Sequence, residues 1–501
     1  MSLTHGVVAA PHYLAAEAGA EVLRQGGNAV DAAVAADAVL CVVYPHMTSI
    51  GGDLFALVWA AGADRPVGLA GAGRSGSLAT IEAVRARGHR VMPERGPLTV
   101  TVPGTVEAWG RLVERFGSLG MAPLMAAAVR HARHGFIVTA NLATFLNDHA
   151  GWLMADPESA RLLPPLKAGM LMRNPELADT LASIGEGGFQ RFYRGDTARA
   201  IVGTLEARGG FLVAEDLARH RSQWVEPLEI RYRDLVVYEL PPPTQGLAAA
   251  GMLKRLELLD RSRLEPGPAF AAELRWARDA VYPLRERYIS DPDFAPVPEE
   301  PFLDPGWREA GVAPPLPEGD TIYLCAADEH GNVVSLIQSV AGSFGSGVFA
   351  EGTGVLLQNR GTYFSLDPGH VNRLEPRKRT MHTLIPAMAG RDGRCRLAFG
   401  SMGADGQPQI QAQLLVNLVD LGLDPVAAVA APRLRVPPGG GGLWIEADYP
   451  GAAELARTVE GAQLLPARSW QMGHAQALVV DGRRSWRAGA DPRADGAVVV
   501  V

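Results

Sequence analysis

The stretch DTIYLCAADEHGNVVSLIQSV (residues 320–340) contains two apolar runs, 321–328 and 333–340, joined by the short turn EHGN. Two such runs around a Gly-containing turn read as a β-hairpin. Immediately upstream lies the breaker-rich loop EAGVAPPLPEGD (309–320), so Thr321 leaves a Pro/Gly loop and opens an apolar strand. A threonine at a strand start is, by itself, an ordinary structural residue. Its meaning depends on the text around it.

Working outward, CRLAF (395–399) and QALVV (476–480) read as further strands of the same sheet, with QIQAQLLVNLVDLGL (409–423) a helix between them. Toward the N-terminus, residues 12–25 place Leu14, Ala18, Val22 and Leu23 at helical spacing, with Gly26 and Gly27 as a C-cap. Asn28 then caps a second helix over 29–43. A Gly turn in SIGGD (49–53) leads to a strand, LFALVWA (54–60), and a loop carrying Arg74 in GAGRSG. TVTVPG (99–104) reads as a strand turning into a helix at Thr105. Further helices fall near 121–134, 175–185, 196–208 and 269–289. LEIRYRDLVVYEL (228–240) alternates like a hairpin pair and ends in PPPTQG, where three prolines exclude a helix or central strand.

Composition sets the outer limits. With 501 residues, 47% hydrophobic and 20% charged, the chain can bury a large core and is neither disordered nor a disulfide-stapled scaffold. Length alone gives a prior of about three domains. Lys and Arg total 47 against 54 Asp and Glu, a net charge of −7, which argues against nucleic-acid or anionic-membrane partners. Cys41, Cys325 and Cys395 are far apart in apolar surroundings and read as small buried hydrophobes. The N-terminal residues lack a secretory pattern, and the longest apolar stretch, 29–44, is interrupted by Asp31 and Asp37 and reads as a buried helix. A cytoplasmic location is the expectation. PPGGGGLW (437–444) lacks the Lys-Ser/Thr and helix of a phosphate loop and reads as a surface turn. His131 and His134 lie three apart on a helix without carboxylate or cysteine company, so no metal site is expected.

Several blocks, in order, resemble the γ-glutamyltranspeptidase family of N-terminal-nucleophile hydrolases: AAEAGAEVLRQGGNAVDAAVAA (15–36), PHMTSIGGDLF (45–55), TVPGTVEAW (101–109), FYRGDTA (192–198), LPPPTQG (240–246), DTIYLCAADEHGN (320–332), FGSGV (344–348), GVLLQNRG (354–361), PRKR (376–379) and FGSMGADGQPQ (399–409). The resemblance spans nearly the whole chain. It implies an α+β fold, a four-layer αββα sandwich forming one domain rather than three. It also implies a precursor that cuts itself between Asp320 and Thr321, leaving a large subunit 1–320 and a small subunit 321–501. The new α-amine of Thr321, with a reference pKa of about 7.7–8.0, would then serve as the base for its own hydroxyl, without a catalytic histidine or any cofactor.

The same resemblance assigns the remaining roles. Ser339 would assist the nucleophile and self-cleavage, and the backbone N–H groups of Gly403 and Ala404 would form the oxyanion hole. Arg74 would bind the substrate α-carboxylate. The chain departs from the family where an aspartate for the substrate ammonium becomes Tyr363, a glutamine becomes Arg360, paired serines become His382 and Thr383, and an asparagine becomes Ala341. Only SLDPGHVNRLEPR separates Phe364 from Lys378, shorter than the family's lid region, which implies an open site. The function expected is hydrolysis of γ-glutamyl amides such as glutathione through a Thr321 acyl-enzyme, with water or, weakly, an amino acid as acceptor. The alternatives are an amidohydrolase for another carboxylate-bearing amide, an oxamate or glutaryl amide held by Arg74 and Arg360, and an inactive binding relative. The partners expected are that small amide and the two subunits of one precursor, with a homodimer of the processed product left open.

Overall fold

A computed structural model describes residues 5–307, 309, 311, 316 and 319–501; most of the loop 309–318 read as breaker-rich therefore lies outside the described residues. The hairpin is central. Asp320–Asp328 pairs antiparallel with Val333–Ala341, and every residue of both strands is buried. Burial on both faces explains why these strands read as continuous apolar runs instead of alternating ones. Gly6–Ala10 pairs with the outer edge of the first strand and Asp53–Trp59 with that of the second. Val67–Gly71, Gln223–Val225 and Ala497–Val500 complete a seven-stranded antiparallel sheet.

A second, six-stranded antiparallel sheet runs in the order Ser485–Ala490, Ala475–Gly482, Arg394–Ser401, Ala387–Arg391, Leu235–Glu239 and Leu228–Tyr232. The runs 395–399 and 476–480 therefore belong to this sheet, not to the hairpin's sheet as their sequence suggested. Both edges of the hairpin are already taken, so its ladder has no place for them.

Strand alternation sorts the side chains into layers. Tyr323, Cys325 and Ile337 pack with Phe55 and Leu57 against Tyr238, Met388, Ala398 and Leu478 of the second sheet. Ile322, Leu324 and Ala326 point the other way, onto a layer that includes the helices Tyr13–Arg24, Ala29–Val43 and Thr105–Phe116. The outer face of the second sheet is covered by Gly246–Leu256, Pro268–Tyr288 and Gln407–Leu415. The result is the four-layer αββα sandwich, an α+β fold. Each sheet mixes strands from before and after residue 320.

Two local readings change. TVTVPG forms no strand: a 3-10 turn at Pro97–Thr99 leads into irregular backbone that crosses tightly under Gly73, where a Cβ would come within 1.5 Å of the Val102 carbonyl. The helix read over 409–423 starts at Gln407 and passes at Val416 into a π-helical turn ending at Asp420.

Helix Ala29–Val43 is buried along its whole length, and its two acids are accommodated differently. Asp31 closes a capping box, accepting from the Asn28 N–H at 3.0 Å while Asn28 Oδ1 accepts from the N–H groups of Val30 and Asp31. Asp37 sits mid-helix. Its Oδ2 accepts from Trp109 Nε1 at 2.8 Å, and burial, outweighing that hydrogen bond, pushes its pKa up to about 8. A carboxyl whose folded pKa is raised favours the fold below its unfolded value of about 4, and that advantage is lost as pH rises toward 8. Asp37→Asn, which stays neutral, should therefore show a smaller drop in Tm between pH 5 and pH 8 than the wild type. Parallel Tm profiles for the two proteins would contradict the assignment.

Candidate active site

Thr321 is buried, 1% exposed, as the second residue of its strand. Alternation puts it on the face of Tyr323 and Cys325, toward the second sheet. The pairing slips there: Ile322 faces Gln338, but Asp320 faces Ala341, so Ser339 and Val340 oppose Thr321 alone. This is a β-bulge, a device that re-aims side chains at a strand end. Ser339 Oγ donates to the Asp320 carbonyl at 2.6 Å and accepts from the Ala341 N–H at 2.7 Å. The hydroxyl proton therefore points at the carbonyl of the Asp320-Thr321 peptide bond. Gly52 lets the neighbouring strand approach this point: a Cβ there would lie 2.3 Å from the Ser339 carbonyl.

Across from the bulge, strand Arg394–Ser401 ends in the turn Met402–Asp405. Gly403 has φ 145° and Ala404 φ 44°, both outside the range L side chains favour. A Cβ on Gly319 would lie 2.9 Å from Ala404 Cβ and 3.0 Å from Tyr363 Oη, so the chain just before Asp320 rests on this turn. The space beside it is a cavity of about 30 Å³, bordered by Asp320, Ser343, Gly403, Ala404, Arg435 and Trp444, with Pro438 and Trp470 at its wall. The Gly-rich segment read as a mere surface turn thus also walls the site, through Pro438 and Trp444. None of residues 365–381 borders the cavity; Phe364, Leu366 and Leu374 instead pack with Ile81, Val84 and Phe211.

A second corner of the site is assembled around Arg360. Its guanidinium is buried, reaching Ser339 Oγ and Thr383 Oγ1, each at 3.3 Å, and lying over the Tyr363 ring at 5.0 Å. Among the described residues no carboxylate lies within ion-pair distance of it, and its Nε has no hydrogen-bond partner. Burial lowers its pKa, a cost usually met by a counter-ion. The Asp53 carboxylate offsets part of that cost from beyond ion-pair distance, and His382 stands between as a neutral group. Burial, and after it the charge of Arg360, lowers the His382 pKa to about 4, so the ring is neutral. It donates from Nε2 to Asp53 Oδ2 at 3.1 Å and accepts the Leu384 N–H at Nδ1, which fixes the tautomer. Asp53 Oδ1 also accepts from the Gly73 N–H and Gln358 Nε2.

Thr321, Ser339, Gly403, Ala404, Arg360, Tyr363, His382 and Thr383 are thus gathered at one end of the two sheets. Arg74 stands apart. It pairs with Asp291 at 3.0 Å and with Asp293, and borders a separate cavity of about 260 Å³ with Arg219, Arg221, Arg377 and Arg379. Sequence reasoning did not single out Asp53, Ser343, Arg435, Trp444 or Trp470. Asp53 alone had a local signal, the Gly-Gly-Asp turn; the others are brought in by distant loops.

Comparison with known proteins identifies the family and the fold. The family model Gamma-glutamyltranspeptidase matches residues 15–501. The chain is 37% identical to the glutathione hydrolase-like YwrD proenzyme of Bacillus subtilis, covering 99% of this chain and 98% of that one. It is 35% identical to the oxamate amidohydrolase proenzyme of Klebsiella pneumoniae, again over 99% and 98%. Among solved structures, the cephalosporin acylase from Bacillus halodurans superposes with a TM-score of 0.92 at 36% identity, covering 99% of this chain and 96% of that one. The chain belongs to the gamma-glutamyltranspeptidase family of enzymes.

Proposed function

We propose that the chain cuts itself between Asp320 and Thr321, into subunits 1–320 and 321–501 of one αββα domain. Thr321 then hydrolyses amides whose acyl group carries a carboxylate and no neighbouring ammonium. In the cut, Thr321 Oγ adds to the Asp320 carbonyl carbon while Ser339 Oγ–H stabilises the oxygen, 2.6 Å away. The C–N bond breaks, the nitrogen takes the proton, and water splits the resulting ester to leave an Asp320 carboxylate and a free Thr321 amine. Departure of the new Asp320 carboxylate from the site would release the Ser339 hydroxyl for the next reaction.

In turnover, the Thr321 amine takes the Oγ proton as Oγ attacks the substrate amide, and the N–H groups of Gly403 and Ala404 receive the oxyanion. The amine product leaves with that proton, and water hydrolyses the acyl-enzyme. The observation that carries the choice of substrate is Arg360: a buried guanidinium bonded to hydroxyls and to no carboxylate, beside the nucleophile, suits an incoming carboxylate. A second reading keeps γ-glutamyl amides, glutathione among them, with weak transfer to amino acids, in line with the name of the Bacillus subtilis relative. Their α-ammonium would need an anion in this corner, and Asp53 already accepts from three groups.

Thr321→Ala should run on a denaturing gel as a single band of the full 53.2 kDa. The wild type should give fragments of about 34 and 19 kDa, in proportion to 320 and 181 of the 501 residues. Continued cutting at 320/321 in the variant would refute the assignment of the nucleophile. On substrate, steady-state rates should favour oxamate or a glutaryl anilide over γ-glutamyl-p-nitroanilide. Arg360→Gln should lower kcat/KM on the preferred acid by about ten- to a hundredfold, the worth of one charge-assisted hydrogen bond of about 1.5–3 kcal/mol. A γ-glutamyl compound turned over far faster than the others would favour the second reading.

A further inference from the structure

The block LPPPTQG (240–246) joins strand Leu235–Glu239 to helix Gly246–Leu256, and the reaction described so far makes no use of it. Its glutamine is fully buried between two walls of the site. Gln245 Nε2 spends both hydrogens, one on the Thr383 carbonyl at 3.0 Å and one on the Ala404 carbonyl at 2.9 Å, while Oε1 accepts from Arg285 Nη1 at 3.0 Å. The backbone adds two bonds: the Gln245 N–H to the His382 carbonyl at 2.9 Å, and the His382 N–H to the Pro243 carbonyl at 2.8 Å. Two donors and one acceptor on one planar group identify an amide; a carboxylate of the same shape has no donor to offer.

Arg285 extends the connection. It is buried, ion-paired with Asp405 at 2.6 Å and laid over Tyr282 at 4.2 Å, and the Tyr282 hydroxyl donates to the Asp405 carbonyl. Arg435 Nη1 donates to the Gly403 carbonyl at 3.2 Å. In a trans peptide the N–H points opposite its carbonyl, so Arg435 holds the plane that carries the Ala404 N–H, and Gln245 holds the next plane, fixing Ala404 from its other side. Ala404 needs such holding, since a left-handed backbone costs a non-glycine residue about 1–2 kcal/mol.

We infer that Gln245 is a positioning residue for catalysis: by tying the Ala404 carbonyl to Thr383 and Arg285, it sets the direction of the oxyanion-binding N–H groups relative to the substrate corner. The inference rests on the oxyanion role proposed above for Gly403 and Ala404. Gln245 touches neither substrate nor nucleophile, so its loss acts on turnover through the turn.

Gln245→Glu tests this, because it keeps the shape and removes both donors. Per mole of processed enzyme, kcat on the best of the three amides should fall about a hundredfold, comparable to losing an oxyanion donor, with KM changed by no more than about threefold. Gln245→Met, neutral and of similar length, should give the same split and stands in if the charged variant does not fold. A kcat within about twofold of wild type, or a loss carried wholly by KM, would overturn the inference. If the wild type hydrolyses none of the three amides, the substrate reading fails on its own, and a crystal structure of either variant decides the present point. Departure of Ala404 from its left-handed conformation is expected; an unchanged turn would overturn the role of Gln245.

Discussion

The peptide bond before Thr321 lies inside the fold, at the head of a strand paired on both sides, and the rest of the site is arranged around that bond. A threonine hydroxyl is a weak nucleophile near neutral pH, and a free α-amine is a base of suitable strength only at a chain terminus. On the proposed reading the terminus is made after folding, by the finished site. The geometry is consistent with that order. The bulge at Ser339 aims a hydroxyl proton at the Asp320 carbonyl, and the chain before Asp320 lies on the turn that would later bind the substrate's oxyanion. Self-cleavage and turnover then use the same few groups.

Such a site concentrates buried charge, and each charge is handled by a different device. Asp53 is saturated by two neutral donors and a neutral histidine. Asp405 meets Arg285, and Arg285 is shared with Gln245 and the face of Tyr282. Arg360 is the exception, with hydroxyls and a ring in contact and the charge of Asp53 only beyond ion-pair distance. Burying an ion without a counter-ion is costly, and such costs are retained where a ligand relieves them.

The layers were legible from sequence because burial writes a strong signal: the unbroken apolar runs of 321–328 and 333–340 follow from strands covered on both faces, and Asn28 stands as a capping residue directly before the apolar helix 29–43. Which sheet a strand joins was not legible. CRLAF and QALVV look the same in either sheet, and their place is decided by the hairpin's edges being occupied by residues 6–10 and 53–59. The seven residues gathered around Thr321 could be picked out only through ordered family blocks, since nothing local to Tyr363 or Thr383 distinguishes them. Gln245 and Trp444 escaped functional notice for a related reason. One sits in a proline-rich turn and the other after a glycine run, and only long-range folding sets them against the Ala404 turn.

Arg74 and Arg360 show why residue type alone does not identify an anion clamp. Both were read as carboxylate binders. Arg74 already faces Asp291 and Asp293, and Arg379 bonds the same two carboxylates. A further anion there would compete with charges the fold has supplied. Arg360 has no carboxylate at ion-pair distance among the described residues and feels Asp53 only from further away, so a substrate carboxylate arriving at it would gain attraction without breaking an ion pair. Tyr363 acts in the same direction, because a neutral phenol in this corner offers no anion to draw an ammonium into it. On that reading, specificity would turn on whether the buried cation beside the nucleophile is left without an ion pair of its own.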